Sequence, residues 1–116
     1  MRSSIVSLGA GLTLALSALL FAACNPTGPS VSMTEYKFSP DTITVKQGQS
    51  VTINLKNDGT IIHDFHVPDL NVASNNVDPK GNASVTFTPD RTGTFQFLCT
   101  QPGHADAGMT GKLVVQ

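Results

Sequence analysis

Cysteine and charge are both scarce in this chain. Its 116 residues include two cysteines, Cys24 and Cys99, and only 13% Asp, Glu, Lys and Arg, with a formal net charge of −1. Two cysteines leave room for a single disulfide at most. No basic stripe offers a surface for nucleic acid. Paired carboxylates, a phosphate-cradling glycine loop and a Ser-His-Asp set are all missing, and no oxyanion site accompanies Cys99, so a catalytic role is not expected. Helical periodicity is almost absent, there is no internal repeat, and the length suffices for one domain.

What is present begins with an N-terminal targeting signal. Across residues 1–23 Arg2 is the only charge, and Ile5 to Ala23 is apolar or small. Such a stretch is an export signal rather than part of a fold. It is almost long enough to span a bilayer, so a retained anchor is the competing reading. Ala22 and Ala23 favour cleavage. Phe21-Ala22-Ala23-Cys24 resembles a bacterial lipoprotein box, although Phe21 stands where leucine is usual. That resemblance implies a lipid on Cys24, which would hold the protein on the outer side of a cell-envelope membrane. Residues 24–30, with Asn25-Pro26-Thr27-Gly28-Pro29-Ser30, read as the lipidated cysteine and a short flexible tether.

Residues 31–116 read as strands. Val51, Ile53 and Leu55 alternate with polar neighbours, as do Val85 and Phe87, and Thr42-Ile43-Thr44-Val45 is β-branched throughout. Strands are expected near Val31 to Phe38, Thr42 to Val45, Ser50 to Lys56, Ile61 to Val67, Ala83 to Thr88, Gly93 to Leu98 and Gly111 to Val115. Turns at Ser39-Pro40-Asp41, Lys46 to Gln49, Asn57-Asp58-Gly59 and Pro89 to Gly93 separate them, and Asp69 to Lys80 reads as a polar loop. Period-two alternation with regular turns predicts an all-β, antiparallel Greek-key sandwich of about seven or eight strands.

The chemistry is concentrated in Cys99-Thr-Gln-Pro-Gly-His104-Ala-Asp-Ala-Gly-Met109, which places a thiolate, an imidazole and a thioether in the connection between the last two strands. Soft sulfur ligands select copper, and a trigonal His₂Cys site with a long axial Met is the electron-transfer arrangement. Zinc has little use for the methionine. A second histidine must come from elsewhere. In Ile61 to Val67, His63 shares a face with Phe65 and Val67, whereas His66 lies with Ile62 and Asp64 on the other face, so alternation favours His63. His66 reads as a surface histidine, with weak ligation or a partner contact as its rival role.

This ordered set resembles the copper loop of cupredoxins, the blue-copper proteins. Cys-Thr-Gln-Pro-Gly-His is similar to azurin's Cys-Thr-Phe-Pro-Gly-His, and His63-Asp64-Phe65 resembles the upstream His-Asn-aliphatic motif. Four residues separate Cys99 from His104 and four separate His104 from Met109, a loop length like that of rusticyanin, auracyanin and sulfocyanin. The resemblance implies one type 1 copper per chain, bound by His63, Cys99, His104 and Met109. It also implies that the Asp64 N–H donates to the Cys99 sulfur, that the Asp64 carboxylate accepts from Thr100, and that Gln101 supplies a second N–H to sulfur. Ile62 stands where azurin has a glycine, which implies no close backbone oxygen. The expected role is electron transfer, as a monomer, between donor and acceptor proteins at a membrane. A copper chaperone or copper-storage lipoprotein is the alternative. A binuclear copper centre would need a second cysteine in the loop, and a nitrite reductase would need a second domain and more histidines.

Overall fold

The structure, a computed structural model, describes residues 28–116 together with Gly9 and Gly11. The signal sequence, Cys24 and most of the tether lie outside the described residues. Among those described, no helix is long and apolar enough to cross a membrane.

Among the described residues nine strands form: β1 (Ser30–Thr34), β2 (Lys37–Ser39), β3 (Thr42–Val45), β4 (Val51–Asn57), β5 (His66–Val67), β6 (Val72–Ala73), β7 (Asn82–Phe87), β8 (Gly93–Leu98) and β9 (Thr110–Val115). They make two sheets of order β2-β1-β4-β7 and β3-β9-β8-β5-β6. Alternate residues turn inward: Val31 and Met33 from β1 and Ile53 and Leu55 from β4 meet Ile43, Phe97, Leu113 and Val115 across the sandwich. Phe38, Phe65 and Phe97 lock the centre, with ring centroids 4.8 to 5.8 Å apart and two of the three contacts edge-on, the arrangement the ring quadrupoles prefer.

The all-β sandwich matches the expectation from alternation, with four differences in detail. The described residues hold nine strands rather than seven or eight, because the first predicted strand splits into β1 and β2 and β6 lies in the segment read as a loop. The sheets are mixed rather than antiparallel, since β1 pairs parallel with β4 and β3 with β9. Parallel partners are separated by whole connections, and alternation within one strand does not record its partner's direction. The first predicted strand is broken at Glu35 and Tyr36 by a tight turn between β1 and β2, with Tyr36 at φ 63°.

The fourth difference positions the site. Ile61 to Val67 is not one strand; only His66–Val67 is laddered, and His63 forms an isolated bridge to Val77. The intervening main-chain donors go elsewhere: the Asp64 N–H points at Cys99 Sγ, 3.4 Å away, and the Phe65 N–H meets Ser74 Oγ at 2.9 Å. His63, Asp64 and Phe65 are all buried in succession, which strict alternation forbids. The supposed polar loop holds a 3₁₀ turn (Pro68–Leu70), β6 and the buried Val77.

Candidate metal centre

Strand β8 carries Phe97 inward and leads straight into Cys99, and β9 starts at Thr110. Between them the chain closes on itself. The Cys99 N–H donates to the Met109 carbonyl at 3.2 Å, the His104 N–H to Gln101 at 3.0 Å, and the Met109 N–H back to the His104 carbonyl at 3.0 Å. Gly103 and Gly108, at φ 80° and 108°, allow these reversals. The result is that Cys99 and Met109 are fully buried and His104 is 8% exposed.

His63 arrives from the segment bridged to Val77. Its Nδ1 lies 3.2 Å from His104 Nδ1 and 3.9 Å from Cys99 Sγ, and His104 Nδ1 lies 3.4 Å from the same sulfur. A point equidistant from the three atoms is about 2 Å from each, which is a metal–nitrogen bond length and slightly short for metal–sulfur. These three residues also form the only cluster of metal-ligating side chains of this kind among the described residues. A buried N₂S donor set of this spacing fits a soft or borderline ion such as copper.

Burial depresses the basicity of His63, against an opposing contact from Glu35, so its ring is held neutral with a lone pair to offer. Burial raises the Cys99 thiol above its ordinary value, while the main-chain N–H groups of Asp64 and Gln101 pull it back down. Those N–H groups favour the thiolate that a metal would require, and binding would release the thiol proton.

Asp64 ties the two halves of the site. Its carboxylate accepts from the Thr100 N–H at 2.6 Å, the Thr100 hydroxyl at 2.5 Å and the Gln101 side-chain amide at 2.9 Å. Burial works against its charge, but these donors hold the carboxyl below its ordinary value. Gln101 therefore contributes a side-chain bond, also reaching Asn76 at 3.0 Å, beyond the N–H expected of it. His66 is not drawn into the cluster; it is partly exposed, with Nε2 3.7 Å from Asp64.

Three participants are not evident in the linear reading. Glu35 Oε1 lies 3.4 Å from His63 Nε2 and accepts the N–H groups of Thr60 and Ile61 at 2.7 and 3.2 Å. Tyr36 presents its ring edge-on to His104, with centroids 5.1 Å apart. Asn57, read as a turn residue, is fully buried and donates to the carbonyls of Ile61 and Val77 at 2.7 and 2.8 Å. The one signal for Asn57 is its bond from the Gly59 N–H, the turn an Asn before Asp-Gly would make.

A family model described as a cupredoxin-like domain matches residues 5–115. This chain belongs to the cupredoxin-like family. Among solved structures, this cupredoxin is similar to dithionite-reduced auracyanin from Roseiflexus castenholzii, at 26% identity and a TM-score of 0.70, covering 78% of this chain and 97% of that one. It is also similar to auracyanin A from Chloroflexus aurantiacus, described as a blue copper protein, at 26% identity and a TM-score of 0.63, covering 75% and 99%. Among curated proteins it is similar to the copper-resistant cuproprotein CopI of Rubrivivax gelatinosus, 31% identical over 99 residues, or 69% of this chain and 60% of the relative. The cupredoxin thus spans less than two thirds of that relative's length.

Proposed function

We propose that this cupredoxin is a single-electron carrier with one type 1 copper ion held by His63, Cys99, His104 and Met109. The observation that carries the reading is the convergence of two Nδ1 atoms and one Sγ within 3.2 to 3.9 Å in a buried pocket. When bound there, copper supplies a one-electron couple.

The chain's own groups define what that couple experiences. The Asp64 N–H, and with it that of Gln101, stabilises the thiolate; Asp64 keeps a negative charge close by, which favours the oxidised ion. The closed loop and the Asp64 clamp hold the donors in one geometry, so little rearranges between oxidation states. His104 is the least buried member of the converging cluster. Around it Pro102, Gly103 and Ala107 are exposed, and Tyr36, Ile61 and Ile62 are the exposed large apolar side chains of the described residues. This surface is suited to brief, apolar docking of donor and acceptor proteins to a monomer. On the same reading the protein is not an enzyme, its signal is residues 1–23, and a lipid on Cys24 keeps it at the envelope membrane outside the cytoplasm.

A second reading is copper chaperoning or storage, favoured by the name of the CopI relative, which ties that protein to copper resistance. Absorption spectroscopy with Cu(II), beside Cys99→Ser, separates the two. An intense thiolate-to-copper band that the variant lacks supports electron transfer; copper binding without colour supports chaperoning or storage.

A further inference from the structure

The turn between β1 and β2 touches both histidines of the centre, and neither contact follows from the loop or the strand that carries the ligands. Glu35 Oε1 lies 3.4 Å from His63 Nε2, the ring nitrogen opposite the one that faces Cys99 and His104. The same oxygen is pinned by the Thr60 and Ile61 N–H groups, so the carboxylate is fixed from the side of the chain that leads into His63. Tyr36, the next residue, adopts φ 63°, a conformation uncommon for a bulky side chain, and from it places its ring edge-on against His104 at an interplanar angle of 83°. A non-glycine residue held in this region is maintained by its surroundings.

We propose that Glu35 is a positioning residue for the metal centre. It accepts the proton of His63 on Nε2, which leaves the Nδ1 lone pair aimed at the metal position, and it adds a negative charge behind that ligand. Tyr36 braces His104 from the same turn. A neutral imidazole carries one proton on either ring nitrogen, and the acceptor facing one nitrogen decides which. A metal-ligating histidine commonly gives its other N–H to a carboxylate or carbonyl for this reason. Here the acceptor lies 28 residues upstream of the ligand. The inference rests on the copper reading for its effect on potential, but not for its effect on the His63 proton.

The test compares the full-length protein with Glu35→Gln and Glu35→Ala. Nitrogen-15 NMR of the copper-free protein reports the His63 tautomer, and redox titration with copper reports the potential. Wild type should hold His63 as the Nε2–H form. Glu35→Gln keeps an acceptor oxygen, so it should preserve that tautomer while raising the potential. Glu35→Ala should populate both tautomers and bind copper about 10- to 100-fold more weakly. A wild-type tautomer in Glu35→Ala, or an unchanged potential in Glu35→Gln, would overturn the proposal. Should wild type prove colourless with copper, the electron-transfer reading fails, while the tautomer comparison still decides the role of Glu35.

Discussion

Asp64 holds Cys99 from two directions. Its main-chain N–H points at the sulfur from 3.4 Å, and its carboxylate grips Thr100, the residue that follows Cys99, through both the N–H and the hydroxyl. One residue thus sets the electron demand on the sulfur and the entry of the loop.

Replacing Asp64 by alanine should therefore cost more than a surface substitution. Three donors would lose a charged acceptor in a site where Asp64 itself is 2% exposed. Hydrogen bonds to charged groups contribute about 1.5–3 kcal/mol each at most, and water can reach Thr100, so a loss of about 2–3 kcal/mol is expected in urea unfolding. Asp64→Asn keeps an acceptor and removes the charge, and should raise the copper potential with a smaller loss of stability.

The copper-free protein should lose stability toward acid in two stages. The folded His63 has a lowered pKa, so its contribution is complete above the unfolded value near about 6.5 and falls as pH drops through the folded value. The folded Asp64 carboxyl is also lowered, so its contribution is complete above about 4 and is lost below that. Urea midpoints measured from pH 8 to pH 3 should decline in that order. Asp64→Asn should flatten the lower stage, and an unchanged slope there would contradict the assignment.

Asn57→Ala should unfold the approach to the centre before it unfolds the sandwich. The substitution leaves the Ile61 carbonyl and the Gly59 N–H without their partner and removes one of the two donors to the Val77 carbonyl, the other being the His63 N–H at 3.2 Å. A cost of about 1–3 kcal/mol is expected for the buried groups left unpaired. Hydrogen exchange at the His63 and Val77 amides should accelerate more than exchange in β8 and β9.

Gly111→Ala tests the packing beneath the loop. A Cβ there would lie 2.1 Å from the Phe97 ring and 2.6 Å from the Asp41 carbonyl. The ring belongs to the central aromatic cluster and the carbonyl to the backbone, so neither yields freely. Overpacking of this kind costs about 1–3 kcal/mol, and thermal unfolding should show a Tm lowered by several degrees.

Much of this protein is determined by short-range sequence. Cys99, His104 and Met109 lie in one loop whose glycines and length are local properties, and alternation favours His63, the histidine found in the cluster, although the segment that carries it is not a continuous strand. The strand segments β3, β4, β7, β8 and β9 follow from period-two patterning, because a strand with one face in the core must alternate. The pairing of Asp64 with Thr100 follows from the family motif, since both residues adjoin ligands.

Tertiary structure decided the rest, because each remaining feature joins residues whose separation carries no periodic signal. The parallel partners of β1 and β3 depend on how the sheets are threaded. The burial of Asp64 depends on donors 36 and 37 residues away that compensate its charge. Asn57 looks like any turn residue until Val77, 20 residues on, is brought beneath it. Glu35 and Tyr36 read as strand, and only closure of the sandwich sets their turn against His63 and His104. A ligand set can be written in a loop, but the groups that orient it are supplied by whichever surfaces the fold brings into contact.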